Sequence, residues 1–219
     1  MQAEMDTFNP NASINALDAP GYTRLLERLL DRRGWPQGSA ATVAALYDAS
    51  VRVSTELAWH EWIADYSMTC GARRLAAAAA KRPAASRSPV YLAYVAQAPA
   101  RPLYGIGGRS APPAHFASHC WDYMAAARGW TLFHEWSAGQ SPVYAPTTAD
   151  VALGDLMRGH WAELTRTGRI EGLADYTKSD TTTVYSHGTV YGAHEYAGHR
   201  CDVLEASPLV MGRTFWCVN

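Results

Sequence analysis

The pattern of apolar and polar positions predicts that most of the chain is helical. In residues 20–33, Tyr22 and the leucines share one face while charged residues occupy the other, and Gly34 follows as a stop signal. Residues 150–167 repeat this pattern and end before a second stop signal, Gly168. Both segments are therefore predicted to be amphipathic helices.

Two further helices are predicted between these segments. Residues 40–57 carry apolar residues at helical spacing, and residues 55–75 continue in the same way with a break near Cys70 and Gly71. The alanines of residues 75–81 have the highest helix propensity, so they should extend the second helix until a proline ends it.

Residues 90–96 form an apolar run of strand length, which predicts a buried strand. The irregular residues 99–113 predict a long loop, and the pattern turns helical again from Ala114. Beyond Tyr176 there is no long periodic segment. A single strand cannot satisfy its own backbone groups, so either the chain is all helical with one misread segment or its sheet lies elsewhere.

The composition describes an ordered globular protein of balanced charge. The 219 residues are 48% hydrophobic, and 19 basic residues nearly match 20 acidic ones. The net charge of -1 gives no electrostatic reason to expect a nucleic acid or an anionic membrane as a partner. No apolar run reaches about 18 residues, so we expect no membrane span. The first residues also lack the basic and apolar parts of a signal peptide.

The four cysteines, Cys70, Cys120, Cys201 and Cys217, lie far apart in the sequence. No two of them have the close spacing that is typical of zinc ribbons or redox motifs. The four cysteines are therefore expected either to form disulfides or to be inert thiols. Asn11 begins an Asn-Ala-Ser sequon, which is used only in a secretory compartment. The sequon therefore favours an oxidising environment.

Eight histidines raise the question of a metal site. His194 and His199 are five residues apart, whereas the zincin motif places two histidines four apart on one helix face. We therefore expect exposed or backbone-bonded histidines and no bound metal. The chain also lacks a Gly-x-Ser-x-Gly nucleophile elbow, a dinucleotide-binding loop and a P-loop.

The segment around His119 places a histidine in a loop between the predicted strand and a predicted helix. It resembles the region of the catalytic histidine in type-B carboxylesterases and cholinesterases, which are α/β-hydrolases. In that family a small residue, His, Gly, any residue, Glu and an apolar residue follow one another. His119 matches the histidine, whereas Cys120 replaces the usual glycine and Asp122 the usual glutamate.

Four other segments resemble this family in the same order along the chain. They are the helix that bears Cys70, the strand of residues 90–94, the helix of residues 156–168 and the closing segment Arg200-Cys201-Asp202. The resemblance spans residues 1–219 but covers only the C-terminal part of a type-B carboxylesterase-like domain. It implies an α/β fold made mostly of helices, together with the last strand or strands of the central sheet.

Glu4 resembles the catalytic acid of the family, because the residues from Ala3 to Phe8 fit its surroundings and it precedes His119 by a suitable distance. The resemblance implies a Ser-Glu-His triad in which His119 takes the proton of the serine and Glu4 orients the imidazole. The alternative is that Glu4 is an exposed residue of a frayed terminus. The nucleophile, the oxyanion loop and most of the sheet would all precede Glu4, and they are not in this sequence.

The resemblance also implies a disulfide between Cys70 and Cys201. Cys120 and Cys217 have no counterpart in the family, so they pair with each other, with the missing part or with another chain, or remain thiols. A disulfide and glycosylation of Asn11 would place the protein in a secreted or lumenal location.

Two functions are consistent with these features. In the first, the chain joins a separate N-terminal hydrolase part, and the assembly hydrolyses small carboxylic esters without a cofactor. In the second, the chain is a catalytically inactive structural or binding subunit of a larger assembly. The absent nucleophile and the replacements at Cys120 and Asp122 argue for the second function. The presence of Glu4 and His119 argues for the first.

Overall fold

The structure is a computed structural model, and it describes residues 17–32, 34–83, 88–104, 116–117 and 120–206. The chain divides into two compact units, one that combines Met1–Leu75 with Ala197–Asn219 and one that comprises Ala76–Tyr196. The described residues form helices and a three-stranded mixed sheet, which agrees with the α/β class predicted from the sequence.

The described elements run in a single order from the N-terminal to the C-terminal end. They are α1 (Ala19–Arg32), α2 (Ser39–Leu46), α3 (Asp48–Val53), α4 (Thr55–Ala64), a π-helical turn (Asp65–Thr69), α5 (Cys70–Ala80), β1 (Ala93–Val95), α6 (Trp121–Ala127), α7 (Leu132–Trp136), α8 (Thr148–Thr167), α9 (Tyr176–Ser179), β2 (Thr181–Ser186), β3 (Thr189–His194) and α10 (Gly198–Glu205).

Helix α1 has the amphipathic face that its sequence predicts. Tyr22, Leu26 and Leu30 on this face are buried, and Gly34 follows the helix with a positive φ, as expected of a residue that ends it. The core of the first unit packs this face against aromatic residues of α4 and the π-helical turn, namely Trp59, Trp62 and Tyr66. Periodicity therefore predicted this part of the core correctly.

The prediction of one helix over residues 40–57 is wrong, because the chain leaves the helical conformation twice. Tyr47 separates α2 from α3. Ser54 is extended, and its side chain accepts a hydrogen bond from the N–H of Leu57 as the N-cap of α4. Ser54 must leave the helical conformation to cap α4, so it ends α3, and this is the physical reason for the second break.

The next predicted helix is continuous, and its irregularity lies before the expected break at Cys70. The π-helical turn Asp65–Thr69 joins α4 to α5, with the N–H of Cys70 bonded to the carbonyl of Asp65. The alanine-rich stretch extends α5 to Ala80, as predicted from alanine's helix propensity.

The sheet contains two strands that the sequence pattern missed. The strand order is β1-β2-β3, with β1 parallel to β2 and β2 antiparallel to β3. His187 and Gly188 connect β2 to β3, and both have positive φ, as type I′ hairpin turns require. The absence of a long periodic segment beyond Tyr176 therefore did not mean the absence of strands. Strand β2 is rich in threonine and buried on both faces, so it lacks an alternation of apolar and polar residues.

Strand β1 differs from the buried strand that residues 90–96 predict. Only Ala93–Val95 are in strand conformation, with Ala93 exposed and its two neighbours half-buried. The ladder to β2 uses Leu92, whose carbonyl accepts from Thr183, and Ala96, whose N–H donates to Tyr185. In this register the N–H and C=O groups of Ala93 and Val95 point away from β2, to the other edge of β1. No other described strand pairs with that edge.

Helix α8 confirms its prediction almost to the residue. Thr147 and Asp150 form a capping box at its start, and Gly168 ends it in the left-handed conformation. Gly154 in its middle permits close packing on α6 in the core of the second unit. In the part of the chain that the structure describes, no helix combines the length and apolar character that a membrane crossing needs.

Candidate functional site

The two residues expected to carry catalysis lie outside the described residues. His119 and Glu4 both belong to ranges that the structure leaves out, as does Asn11 of the sequon. Cys217, whose partner the sequence leaves open, is also outside them. The candidate site therefore comprises the described residues that adjoin His119 in sequence.

Cys120, which directly follows His119, has a left-handed backbone with φ of 67°. It is the N-cap of α6, and its carbonyl accepts the N–H of Met124 at 2.8 Å. A residue with a Cβ is strained in this region, whereas glycine is not. The backbone thus adopts, at the position where the resembled family carries glycine, a conformation that favours glycine.

Trp121 fixes the first turn of α6. Its side chain is fully buried, and its indole Nε1 donates to the carbonyl of Gln97 at 2.8 Å. The indole packs against the rings of Trp130 and Tyr144 at centroid distances of 6.3 and 5.5 Å, and these two rings are 6.0 Å from each other. The chain immediately after His119 is therefore anchored in the core of the second unit.

Gln97 connects this anchor to the sheet. It follows β1, and its buried side chain donates to the carbonyl of Ala149 at 3.2 Å and accepts from the N–H of Gly188 at 3.2 Å. Its own N–H donates to the carbonyl of Tyr185. One amide side chain thus ties together the end of β1, the β2–β3 turn and the start of α8. Buried polar groups that are satisfied in this way rigidify a core.

Asp150 is the most completely buried acid of the second unit, and its contacts are structural. One carboxylate oxygen accepts from the hydroxyls of Tyr144 and Thr147 at 2.9 and 2.8 Å, and from the N–H of Thr147. The other oxygen accepts from the N–H of Ala100 at 3.1 Å. Burial, together with the hydrogen bond to Asp150, raises the pKa of Tyr144. These contacts are the ones expected of a group that caps α8.

Two histidines of the second unit hold local structure. Nδ1 of His134 lies 2.7 Å from the carbonyl oxygen of Ser141, and Nδ1 of His160 lies 2.7 Å from the hydroxyl of Tyr185. Neither contact pairs the imidazole with a carboxylate or with a serine or cysteine side chain. Among the described residues, no group of three or more His, Cys, Asp or Glu side chains has a geometry that could hold a metal ion.

The first unit carries a buried polar cluster that the sequence did not predict. Asp65, at the start of the π-helical turn, is only 2% exposed. Its Oδ2 lies 2.7 Å from Nε of Arg200 and accepts from the hydroxyl of Tyr47 at 2.9 Å. Burial raises the pKa of Asp65, while Arg200 and hydrogen bonds from Tyr47 and Thr69 oppose that rise. The sequence alone gave little signal for this polar cluster, because its members come from distant segments.

The Cys70–Cys201 disulfide implied by the family resemblance is confirmed. It joins the first residue of α5 to the middle of α10, with 5.2 Å between the two Cα atoms. Arg200 precedes Cys201, so the disulfide and the Asp65 ion pair are adjacent. Both cysteines are buried in the core of the first unit.

A groove of about 410 Å³ in the first unit is a weaker candidate for a site. Three alanines, two hydroxyl residues, a valine and an acid line it, namely Ala19, Ala44, Ala45, Tyr22, Thr23, Val51 and Asp48. Asp48 is the charged group in its lining, and it forms an ion pair with Arg52. The lining contains no histidine or cysteine, and its carboxylate is the one paired with Arg52, so it does not form a catalytic constellation.

Comparisons of the chain with protein-family models, with curated proteins and with solved structures find no match.

Proposed function

We propose that this chain is the C-terminal part of a carboxylesterase-like serine hydrolase. In this proposal it supplies His119 as the general base and Glu4 as the acid that orients it. The nucleophilic serine and the oxyanion donors belong to a separate N-terminal part. The assembled protein hydrolyses small carboxylic esters, as esters suit a serine nucleophile with a histidine base.

The observation that carries the proposal is the Cys70–Cys201 disulfide. Four cysteines allow three connectivities when all of them pair, and spacing alone does not choose between these. The family resemblance singled out one pair, and the structure contains that pair. The left-handed backbone of Cys120 adds independent support, because it coincides with the glycine of the family's histidine segment.

One edge of β1 pairs with no strand of the described residues, and this supports the existence of a partner. Ala93 and Val95 present backbone donors and acceptors at this edge, and β1 lies in an apolar stretch that is only half-buried. An exposed apolar strand edge is a template for pairing with another chain. A parallel strand from the N-terminal part would extend the sheet there and cover the apolar side chains.

The chemistry assigned to the two residues follows from their pKa ranges. A serine hydroxyl is a poor nucleophile at neutral pH, so it needs a base that accepts its proton during attack. Histidine performs this role because its unperturbed pKa lies near neutrality, and it then returns the proton to the departing alcohol. The carboxylate of Glu4 would hold the imidazole in the correct tautomer and stabilise its charged form.

The proposal is tested by purifying the chain with its associated proteins under native conditions and adding a fluorophosphonate probe. We expect the probe to label a co-purifying protein that carries Gly-x-Ser-x-Gly. His119→Ala should abolish the labelling without dissociating the proteins, whereas His194→Ala, at an exposed position of β3, should leave it unchanged. If no serine is labelled, the chain acts as a non-catalytic subunit and the esterase proposal is wrong.

A second variant tests the strand edge. Ala93→Pro removes an N–H that faces away from β2, so the isolated chain should keep its fold. The same change should prevent a partner strand from pairing with β1 and abolish co-purification. Tyr94→Pro is the matched control, because it removes a hydrogen bond of the β1–β2 ladder and should unfold the second unit. Co-purification that survives Ala93→Pro would place the partner elsewhere.

A further inference from the structure

Three consecutive residues of α10 bind one continuous helical segment of the first unit. Arg200 pairs with Asp65 at 2.7 Å, Cys201 is bonded to Cys70, and Asp202 lies 4.0 Å from Arg73. The disulfide is therefore flanked by an ion pair on each side.

The two ion pairs are of very different quality. The carboxylate of Asp65 is buried, and the guanidinium of Arg200 stacks over the ring of Tyr47 with 5.3 Å to its centroid. Asp202 in the outer pair is 78% exposed, so solvent screens its attraction to Arg73. Arg200 also lies 3.8 Å from Oε2 of Glu61, but its closer contact, to the buried Asp65, has the burial and geometry to set the position of α10.

The native pairing of Cys201 is not the one that chain connectivity favours. Cys70 lies 131 residues away along the chain, whereas Cys217 is close to Cys201 in sequence. Closing a long loop costs more entropy than closing a short one. Helix α10 has eight residues, which is too short to be stable without tertiary contacts. A reduced chain therefore needs a non-covalent contact that brings Cys201 to Cys70.

We propose that Asp65 and Arg200 act as a guide that directs Cys201 to Cys70 before the disulfide forms. Docking of Arg200 on the buried carboxylate places the next residue, Cys201, beside the start of α5. The guide raises the local concentration of one thiol near the other and so selects the native connectivity. This inference does not depend on the proposed esterase function.

The oxidation that follows is ordinary thiol–disulfide exchange with a disulfide such as oxidised glutathione. A thiolate of the protein attacks this disulfide, which forms a mixed disulfide and releases one glutathione thiolate. The second protein thiolate attacks the protein sulfur of the mixed disulfide and displaces the other glutathione. Two protein thiols are oxidised, and one glutathione disulfide is reduced to two glutathione molecules.

The test is oxidative refolding of the full reduced chain in a glutathione buffer at pH 8. Proteolysis without reductant and mass spectrometry then measure the ratio of Cys70–Cys201 to Cys201–Cys217 linkages. We expect Arg200→Met and Asp65→Asn to lower this ratio about fivefold, which corresponds to the loss of a modest guiding interaction. Asp202→Asn, which disrupts only the exposed outer pair, should give the wild-type ratio.

Leu204→Ala separates guidance from general stability. Leu204 is buried on the same helix, so this variant weakens the docking of α10 but keeps the ion pair. It should lower the yield of folded chain and lower the linkage ratio much less than Arg200→Met does. The proposal is overturned if Leu204→Ala mispairs as much as Arg200→Met, or if Arg200→Met and Asp65→Asn both keep the wild-type ratio. Should Arg200→Met yield no soluble chain, Asp65→Asn decides, because asparagine preserves the shape and the acceptor for Tyr47.

Discussion

Gly154 of α8 lies directly against the backbone of α6, since a Cβ at this position would come within 2.1 Å of the carbonyl oxygen of Ala125. Two helices approach this closely only where one of them has no side chain at the crossing. The same crossing buries Met124, Leu153 and Met157 in the core of the second unit. The position of α6, and with it the chain that adjoins His119, therefore depends on a single missing methyl group.

The variant Gly154→Ala should destabilise the second unit by about 2 kcal/mol, because the added methyl forces the helices apart. Urea unfolding at equilibrium measures the change. Gly159→Ala is the matched control, since it lies on the same helix with open space around it. That substitution should stabilise the helix by about 0.5–1 kcal/mol. Equal effects of the two substitutions would contradict the close crossing.

Replacing Cys120 tests the left-handed backbone at the start of α6. Cys120→Gly and Cys120→Ala both remove the thiol, but only glycine removes the Cβ that is strained at a φ of 67°. The glycine variant should therefore be more stable than the alanine variant by about 1 kcal/mol. Thermal unfolding of the two proteins side by side measures this difference. An alanine variant that is equally stable would mean that this residue is not left-handed in solution.

The side chain of Asp175 joins the chain before β1 to α9. The stability that this side chain contributes should depend on pH. Its Oδ1 accepts from the N–H of Val90 at 3.1 Å and from the N–H and hydroxyl of Thr177. Burial acts to raise the pKa of Asp175, but these hydrogen bonds and Lys178 outweigh it and lower the pKa below the ordinary 3.8. Asp175→Ala should cost about 1–2 kcal/mol at pH 7.

The sign of that pH dependence follows from the lowered pKa. A carboxyl of this kind contributes its stability above its unfolded pKa and loses it as the pH falls through the folded one. The stability gap between wild type and Asp175→Ala should therefore be constant above about pH 5 and narrow below pH 3.8. Lys178→Ala, which removes an exposed partner at 3.8 Å, should change stability by less than about 0.5 kcal/mol. A gap that persists in acid would exclude this role for the carboxylate.

Reduction of the Cys70–Cys201 disulfide should weaken the first unit strongly. The bond closes a loop with a sequence separation of 131 residues, for which loop-closure entropy gives about 5 kcal/mol. Fluorescence of Trp59 and Trp62 reports on this unit because both indoles are buried in its core. Urea unfolding with and without a dithiol measures the loss. A Cys70→Ser, Cys201→Ser double variant should not respond to the dithiol.

Local signals account for the elements that the sequence predicted well. Helix α8 has its capping residues, apolar stripe and terminal glycine within one short segment, so each signal supports the others. Strand β2 has no such agreement, because Thr181, Thr182 and Thr183 read as polar although the last two are buried. A buried threonine is recognised only when the neighbouring strands are known.

The site was predictable only in part for the same reason. The disulfide was predicted from the resemblance of a few short segments to one family, but the ion pair beside it was not. Asp65, Tyr47 and Arg200 come from three separate segments, and none of them stands in a pattern that marks it as buried. The role of Glu4 and His119 stays a prediction, which the labelling experiment addresses.

Ala93 and Thr183 pair in the sheet, but the ribosome synthesises their strands at different times. Strand β1 emerges about 90 residues before the strand beside which it lies, a delay of roughly 5–20 seconds at ordinary rates of synthesis. During that interval β2, the strand that pairs with β1 in the described part of the chain, is not yet in place. Residues 90–96 of the nascent chain therefore stay unpaired, and open to other unpaired strands, until synthesis reaches β2.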